Sequence, residues 1–138
     1  MLLAMALALT ACGRLYDLPP PEGERIVLKP AELATTWTDF QDGTLTLKQD
    51  GTFVADNVCI AFGWEEDLTQ SGNGTWKQST YKKQSFLTIT FDAAHPETKE
   101  REPDSLAALR TGNELRLWAA VGDPDHDHPH CILVRPAG

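Results

Sequence analysis

Short runs of alternating apolar and polar residues, each followed by a turn signal, constrain the fold of this chain more than any other feature. Thr44–Lys48 alternates strictly, so its two leucines share one face, and Ser85–Phe91 continues the same pattern over a longer span. Between Thr44–Lys48 and Thr52–Ala55 lies Gln49–Gly51, a sequence typical of tight turns. The two runs are therefore predicted to form a β-hairpin.

The same reading predicts an all-β domain. Predicted strands cover Thr35–Thr38, Thr44–Lys48, Thr52–Ala55, Thr75–Gln78, Ser85–Phe91, Glu114–Val121 and Cys131–Arg135. Ser105–Arg110 is predicted as either a strand or a helical turn, because Ala107 and Ala108 weaken the pattern. Pro30–Ala34 predicts one helical turn, and Gly72–Gly74 and Thr111–Asn113 predict turns. Such closely spaced turns favour a small antiparallel up-and-down barrel of seven or eight strands, with a β-sandwich as the alternative.

The first residues predict export rather than structure. A short apolar run, Leu2–Leu9, is followed by Leu9-Thr10-Ala11-Cys12, and the run is too short to span a bilayer. Leu9–Cys12 resembles the lipobox of a bacterial lipoprotein signal peptide. The resemblance implies acylation of the Cys12 sulfur, cleavage before Cys12, and a protein held by lipid on the extracytoplasmic face of the cell membrane.

Three regions follow from this reading. Residues 1–11 are predicted to be a signal peptide, residues 12–30 the lipidated cysteine with a proline-rich tether, and residues 31–138 the antiparallel β domain. Ile26–Leu28 either joins the first strand or packs across the base of the domain. The net charge of −8 predicts no nucleic-acid partner and no electrostatic adhesion to anionic lipid.

Two further cysteines, Cys59 and Cys131, predict a disulfide, since an even pair in an exported chain is usually oxidised. The bridge would close a loop of about 70 residues and stabilise the fold by roughly 3–5 kcal/mol. Two free thiols or a shared metal site are the alternatives.

A second resemblance concerns the β domain. Leu33–Trp37, Gly43–Leu47, Asp50–Phe53 and Gly74–Trp76 follow one another in an order that resembles small lipocalin-like domains. The same order, ending in Gly122–Asp125, resembles small actinobacterial lipoproteins. The resemblance implies that Trp37 and Trp76 are buried at the closed end of a barrel.

One cluster has the composition of a metal site. His126, His128 and His130 alternate with Asp125 and Asp127, and imidazole and carboxylate groups are suitable ligands for zinc, copper or nickel. The other interpretation is a solvated hairpin loop, in which aspartate and proline make the turn. The leading prediction assigns no cofactor.

Two aromatic residues, Phe62 and Trp64, precede an acidic run and would form either the rim of a ligand or partner site or a plug at the barrel end. His95 is predicted to lie in a surface loop. No nucleophile elbow and no phosphate-binding loop occurs in the sequence, so the chain is not predicted to be an enzyme.

The function predicted from the sequence is capture without catalysis, of a small apolar ligand or of an envelope protein partner. The alternatives are a metal-binding lipoprotein using residues 123–131 and a structural envelope protein without a ligand. A core filled by Trp37, Trp76 and Phe91 would exclude a ligand cavity inside the barrel.

Overall fold

The computed structural model describes residues 23–59, 69–96, 99, 103–120 and 130–136, in which almost every regular element is a β-strand. The elements are β1 Glu24–Arg25, α1 Pro30–Leu33, β2 Thr36–Thr38, β3 Thr44–Leu47, β4 Thr52–Val58, β5 Gln70–Tyr81, β6 Gln84–Phe91, β7 Asp104–Thr111, β8 Glu114–Ala120 and β9 His130–Pro136. No helix in these ranges is long and apolar enough to cross a membrane.

The strands close into an eight-stranded antiparallel barrel. Each strand from β2 to β8 pairs with the next along the chain, and β9 returns to pair with β2 at Thr38 and Val134. The short β1 adds a ninth strand beside β7. The up-and-down barrel is confirmed, and the sandwich alternative is wrong, because pairing of β9 with β2 and of β7 with β8 leaves no break between two sheets.

Large side chains fill the interior of the barrel. Alternation along the strands turns one residue in two inward. The fully buried strand residues include Trp37, Phe53, Leu45, Leu47, Leu87, Ile89, Leu106, Leu115, Leu117 and Leu133, and Leu33 of α1 is also fully buried. The Phe53 and Phe91 rings meet edge to face, with their centroids 5.0 Å apart. Trp76 and Phe91 belong to the same cluster, so the predicted burial of Trp37 and Trp76 is confirmed.

The segment between β1 and β2 covers one end of the barrel. Ser85 N donates to Ile26 O (2.8 Å), and Leu28 N donates to Ser85 Oγ (2.8 Å). Leu28 is buried, and the Trp37 indole donates to Leu33 O (3.0 Å). Of the two readings of Ile26–Leu28, packing across the base is the one observed. The described part of the predicted tether, from Gly23 onward, therefore lies against the barrel.

One predicted turn is wrong. Gly72–Gly74 lies inside β5, where Gly74 pairs with Phe53 of β4 and with Phe91 of β6. A Cβ on Gly74 would lie 2.6 Å from the Phe53 ring and would overlap the carbonyl oxygen of Thr90. The glycine is therefore needed for close packing, and no turn is formed. Ser105–Arg110, for which the sequence left two possibilities, lies in a strand.

The two ends of the barrel differ. At the turn end, tight connections join β3 to β4, β5 to β6 and β7 to β8, and α1 lies beneath them. At the loop end, the connections following β2, β4, β6 and β8 are longer: residues 39–43, 59–69, 92–103 and 121–129. The described chain begins at the turn end, where Gly23 approaches Thr111.

Candidate functional site at the loop end

The described flanks of the two clusters selected from the sequence lie at the same end of the barrel. Phe62 and Trp64 lie between Cys59 and Thr69, and the residues from Asp125 to His128 lie between Ala120 and His130; the described flanks of both segments are at the loop end. These predicted site residues themselves lie outside the described residues, as does Cys12. The backbone of His130 begins β9 and pairs with Ala120.

A buried carboxylate organises the connection between β2 and β3. Asp39 Oδ1 accepts hydrogen bonds from Gln41 N (2.8 Å) and Gly43 N (2.7 Å), and Oδ2 accepts one from Cys59 N (3.0 Å). A Cβ on Gly43 would overlap Asp39 and the backbone of Asn57. Asp39 thus holds its own loop in a defined shape and connects that loop to the end of β4.

The loop held by Asp39 presents one large apolar side chain to solvent. Phe40 is 70% exposed, the most exposed of the large hydrophobic residues in the described ranges. Its backbone lies between Asp39 and Gln41, whose amide is hydrogen-bonded to the Asp39 carboxylate. A large apolar side chain on a fixed loop is the type of group that anchors a protein interface, because little conformational freedom remains to be lost on binding.

The predicted disulfide is present at this end. Cys59 and Cys131 are bonded, with Cα atoms 5.5 Å apart and 72 positions between them in sequence. Cys59 directly follows β4 and Cys131 lies in β9, two strands that are separated in the sheet by β2 and β3. The bridge therefore connects the residue that precedes the segment containing Phe62 and Trp64 to the residue that follows the histidine-rich segment 123–130.

His95 lies elsewhere than predicted. It is buried, with 2% of its surface exposed, and its Nε2 is 2.9 Å from Thr69 O. Lys99 N donates to His95 O (2.9 Å). The surface-loop prediction is wrong because the imidazole connects the segment after β6 to the start of β5. A single histidine followed by one proline, Pro96, does not indicate that contact.

The residues at this end that sequence reasoning missed are Asp39 and Phe40. Asp39 accepts from the amide two residues later, which is the contact of an Asx-turn, and an aspartate directly after a predicted strand was the available signal for it. Among the described residues, no group of three or more histidine, cysteine, aspartate or glutamate side chains could hold a metal ion. The predicted metal ligands lie outside those residues, except for His130, of which only the backbone is described.

Comparison with known proteins assigns no relative. No protein-family model matches the chain, and neither a curated protein nor a solved structure matches it. The chemistry of the loop end and the packing of the barrel are therefore the basis for a functional conclusion.

Proposed function

We propose that this chain is a lipid-anchored extracytoplasmic interaction module that binds a protein partner through the loop end of its barrel. Acylation of Cys12 would attach it to the membrane, consistent with the lipobox resemblance. The closed up-and-down barrel agrees with the lipocalin-like resemblance, and the Cys59–Cys131 bridge suits an oxidising compartment.

The observation that favours a protein partner over an enclosed apolar ligand is the filled interior. An eight-stranded barrel is just wide enough either to be filled by its own side chains or to hold one small ligand. Here Trp37, Phe53 and eight other large strand residues with less than 2% exposure occupy inward positions, and Leu33 of α1, Trp76 and Phe91 pack with them. Binding by this barrel is therefore expected at its outer surface, where Phe40 is exposed and held in place.

Native mass spectrometry of the purified mature chain tests the filled interior. We expect the mass of the polypeptide with its attached lipid and no co-purified small molecule. We also expect no saturable uptake of a fluorescent fatty acid. A stoichiometric apolar molecule bound inside the protein would contradict the proposal.

Photo-crosslinking in cells tests the partner surface. A photoreactive residue replacing Phe40 should give one discrete adduct of higher mass, while the same residue replacing Val54 should not. Val54 is a suitable control because it is also exposed (41%) but lies on the barrel wall in β4. The same adducts from both positions, or none from position 40, would contradict a partner site at the loop end.

Incorporation of radiolabelled palmitate tests the anchor separately. The label should enter the chain and be lost in Cys12→Ser. Recovery of an unlabelled chain that keeps residues 1–11 would remove the proposed location.

A further inference from the structure

Positive charge is concentrated at the turn end of the barrel, although the chain as a whole is acidic. The exposed basic residues there are Arg25, Lys29, Lys48, Lys82, Lys83 and Arg110. The acidic groups facing the same end are Glu24, Glu32, Asp50 and Glu114. Of these, Glu114 is paired with Arg116, Glu32 accepts a hydrogen bond from Lys29 N, and Asp50 accepts hydrogen bonds from Thr52.

The loop end has the opposite sign. Asp42, Asp56 and Asp92 are exposed there, Asp39 is buried, and Lys99 is the basic side chain among the described residues of that end. Among the described residues, basic side chains therefore outnumber acidic ones at the turn end, and acidic side chains outnumber basic ones at the loop end.

The β5–β6 hairpin extends beyond β4 at the turn end. The last β4–β5 pair is Thr52 with Thr75, whereas β5 continues to Tyr81 paired with β6. The two-residue connection consists of Lys82 and Lys83, with φ of 48° and 61°. Such connections favour glycine and asparagine. Positive φ brings the Cβ atom of other residues too close to the backbone, glycine has no Cβ, and asparagine tolerates the conformation. Two lysines occupy these positions despite that cost, which points to a role for their charges.

Apolar groups accompany the two lysines. Tyr81 is 63% exposed, and Lys82 Nζ lies 5.3 Å from the centroid of its ring. Val27 is 55% exposed, and its neighbours Ile26 and Leu28 both bond to Ser85 on the same hairpin. A tyrosine with an aliphatic residue and several lysines is a combination suited to the headgroup region of a bilayer, where apolar rings and ammonium groups can both be accommodated.

The chain reaches the barrel from this same end. Gly23 lies beside Thr111 and Arg110 at the bottom of β7. Gly23 is eleven positions after Cys12, a span of at most about 40 Å when extended. A lipid on Cys12 would therefore hold the basic end near the membrane at a high effective concentration, so that weak electrostatic contact would suffice.

From these observations we infer that the turn end rests on anionic lipid headgroups, through Tyr81, Lys82, Lys83 and Val27, and directs the loop end away from the membrane. The inference rests on the proposed function, since acylation of Cys12 supplies the proximity. The attraction itself is a property of the barrel surface and is measurable without the lipid.

Vesicle co-sedimentation of the mature chain with Cys12→Ser tests the attraction. We expect binding to mixed phosphatidylglycerol–phosphatidylcholine vesicles that weakens as salt is raised, and no binding to phosphatidylcholine alone. The double variant Lys82→Asn/Lys83→Gly should bind roughly tenfold more weakly. It should also melt at a temperature at least as high as the parent chain, because its turn residues suit positive φ, so weaker binding would not reflect misfolding.

Lys99→Glu is the matched control. It changes the net charge by the same amount as the double variant but at the loop end, and it should bind within about twofold of the parent chain. Equal weakening by both variants would show that net charge alone governs binding. That result, or failure of the parent chain to bind the anionic vesicles, would overturn the inference.

Orientation is tested with the acylated chain on the same vesicles carrying a gadolinium-chelating lipid. Amide signals of Lys82 and Lys83 should be broadened more than those of Gln41 and Asp42; equal or reversed broadening would overturn the inference. If palmitate is never incorporated but the Cys12→Ser chain binds anionic vesicles, the proposed anchor fails and the lipid-binding surface stands. If palmitate is incorporated but the Cys12→Ser chain does not bind anionic vesicles, the lipid-binding surface fails and the proposed anchor stands.

Discussion

At the scale of single residues, buried polar groups determine the shape of the loop end. Asp39 satisfies three backbone donors from two segments, and His95 connects two others. Neither role follows from residue type, because a carboxylate and an imidazole usually favour the surface. Their positions depend on which backbone amides and carbonyls the closed barrel leaves without strand partners. Which groups lack strand partners is decided by the tertiary structure, so the local sequence around Asp39 and His95 does not reveal it.

Replacing Asp39 with alanine should destabilise the fold by about 2–4 kcal/mol, because it leaves three backbone donors without their charged acceptor. Urea unfolding measures the change. Asp56→Ala removes an exposed carboxylate from β4 and should change the free energy of unfolding by less than about 0.5 kcal/mol. Similar losses in both variants would mean that the Asp39 contacts contribute little.

Asp50 should make the β3–β4 turn sensitive to acid. Hydrogen bonds from the Thr52 hydroxyl and the Thr52 amide, with a smaller effect of nearby Lys48, hold the pKa of Asp50 below its ordinary value of 3.8. A lowered pKa in the folded state means that the stabilisation is complete above pH 3.8 and is lost as the pH falls through the folded pKa.

Thermal unfolding of the parent chain and Asp50→Asn should therefore differ near neutral pH, and the difference should shrink below pH 3.8. Asp42→Asn, at the opposite end of the barrel, serves as the comparison for loss of one exposed carboxylate. A gap between the parent chain and Asp50→Asn that stays constant with pH would rule out the hydrogen-bonded carboxylate as its source.

The metal hypothesis remains a prediction about particular side chains. A site in residues 123–131 would give one tight transition when the metal-stripped chain is titrated calorimetrically with zinc, copper or nickel. Replacing His126, His128 and His130 with alanine should abolish that transition. An unchanged titration in the triple variant would eliminate the histidines as ligands.

At the scale of elements, the sequence predicted strands well wherever one face of the strand is buried and the other faces solvent. Thr44–Lys48 and Ser85–Phe91 each match a strand within one residue, and the turn before Thr52 was correct. The prediction failed at Gly72–Gly74, because glycine is also used where a strand backbone must approach an aromatic ring. The partner ring, Phe53, is on another strand, so the sequence near the glycines does not contain that information.

Gly74→Ala should therefore be costly for a strand substitution. The added methyl group would overlap Phe53 and Thr90 O, and we expect a loss of about 2–3 kcal/mol in the free energy of unfolding. Ser79→Ala, at an exposed position in the same strand, should have little effect. If Gly74→Ala were as stable as Ser79→Ala, the close contact with Phe53 could not be the reason for glycine there.

At the scale of the whole molecule, the prediction of an up-and-down barrel was correct. The net charge of −8 predicts no electrostatic attraction to anionic lipid, and this stays a prediction; the strand arrangement separates an excess of described basic residues at the turn end from an excess of aspartates at the loop end. Summation over the chain discards that separation. The pairing of Cys59 with Cys131 was predictable by count, whereas its position across the loop end required the strand order.

Removing the bridge with Cys59→Ala and Cys131→Ala should lower the free energy of unfolding by about 3–5 kcal/mol, given the long loop that it closes. Denaturant unfolding with and without reductant measures this. The double variant should behave like the reduced parent chain and should be insensitive to reductant. A parent chain that is equally stable in both conditions would show that the bridge contributes no stability.

The return of β9 to β2 also bears on how the protein is made. The wall is incomplete until the last strand has left the ribosome, since until then β2 and β8 face an open seam. If the chain is exported as proposed, the part that crosses the membrane before β9 would lack the strand that closes the barrel. The barrel would then close only after β9 has emerged on the far side of the membrane.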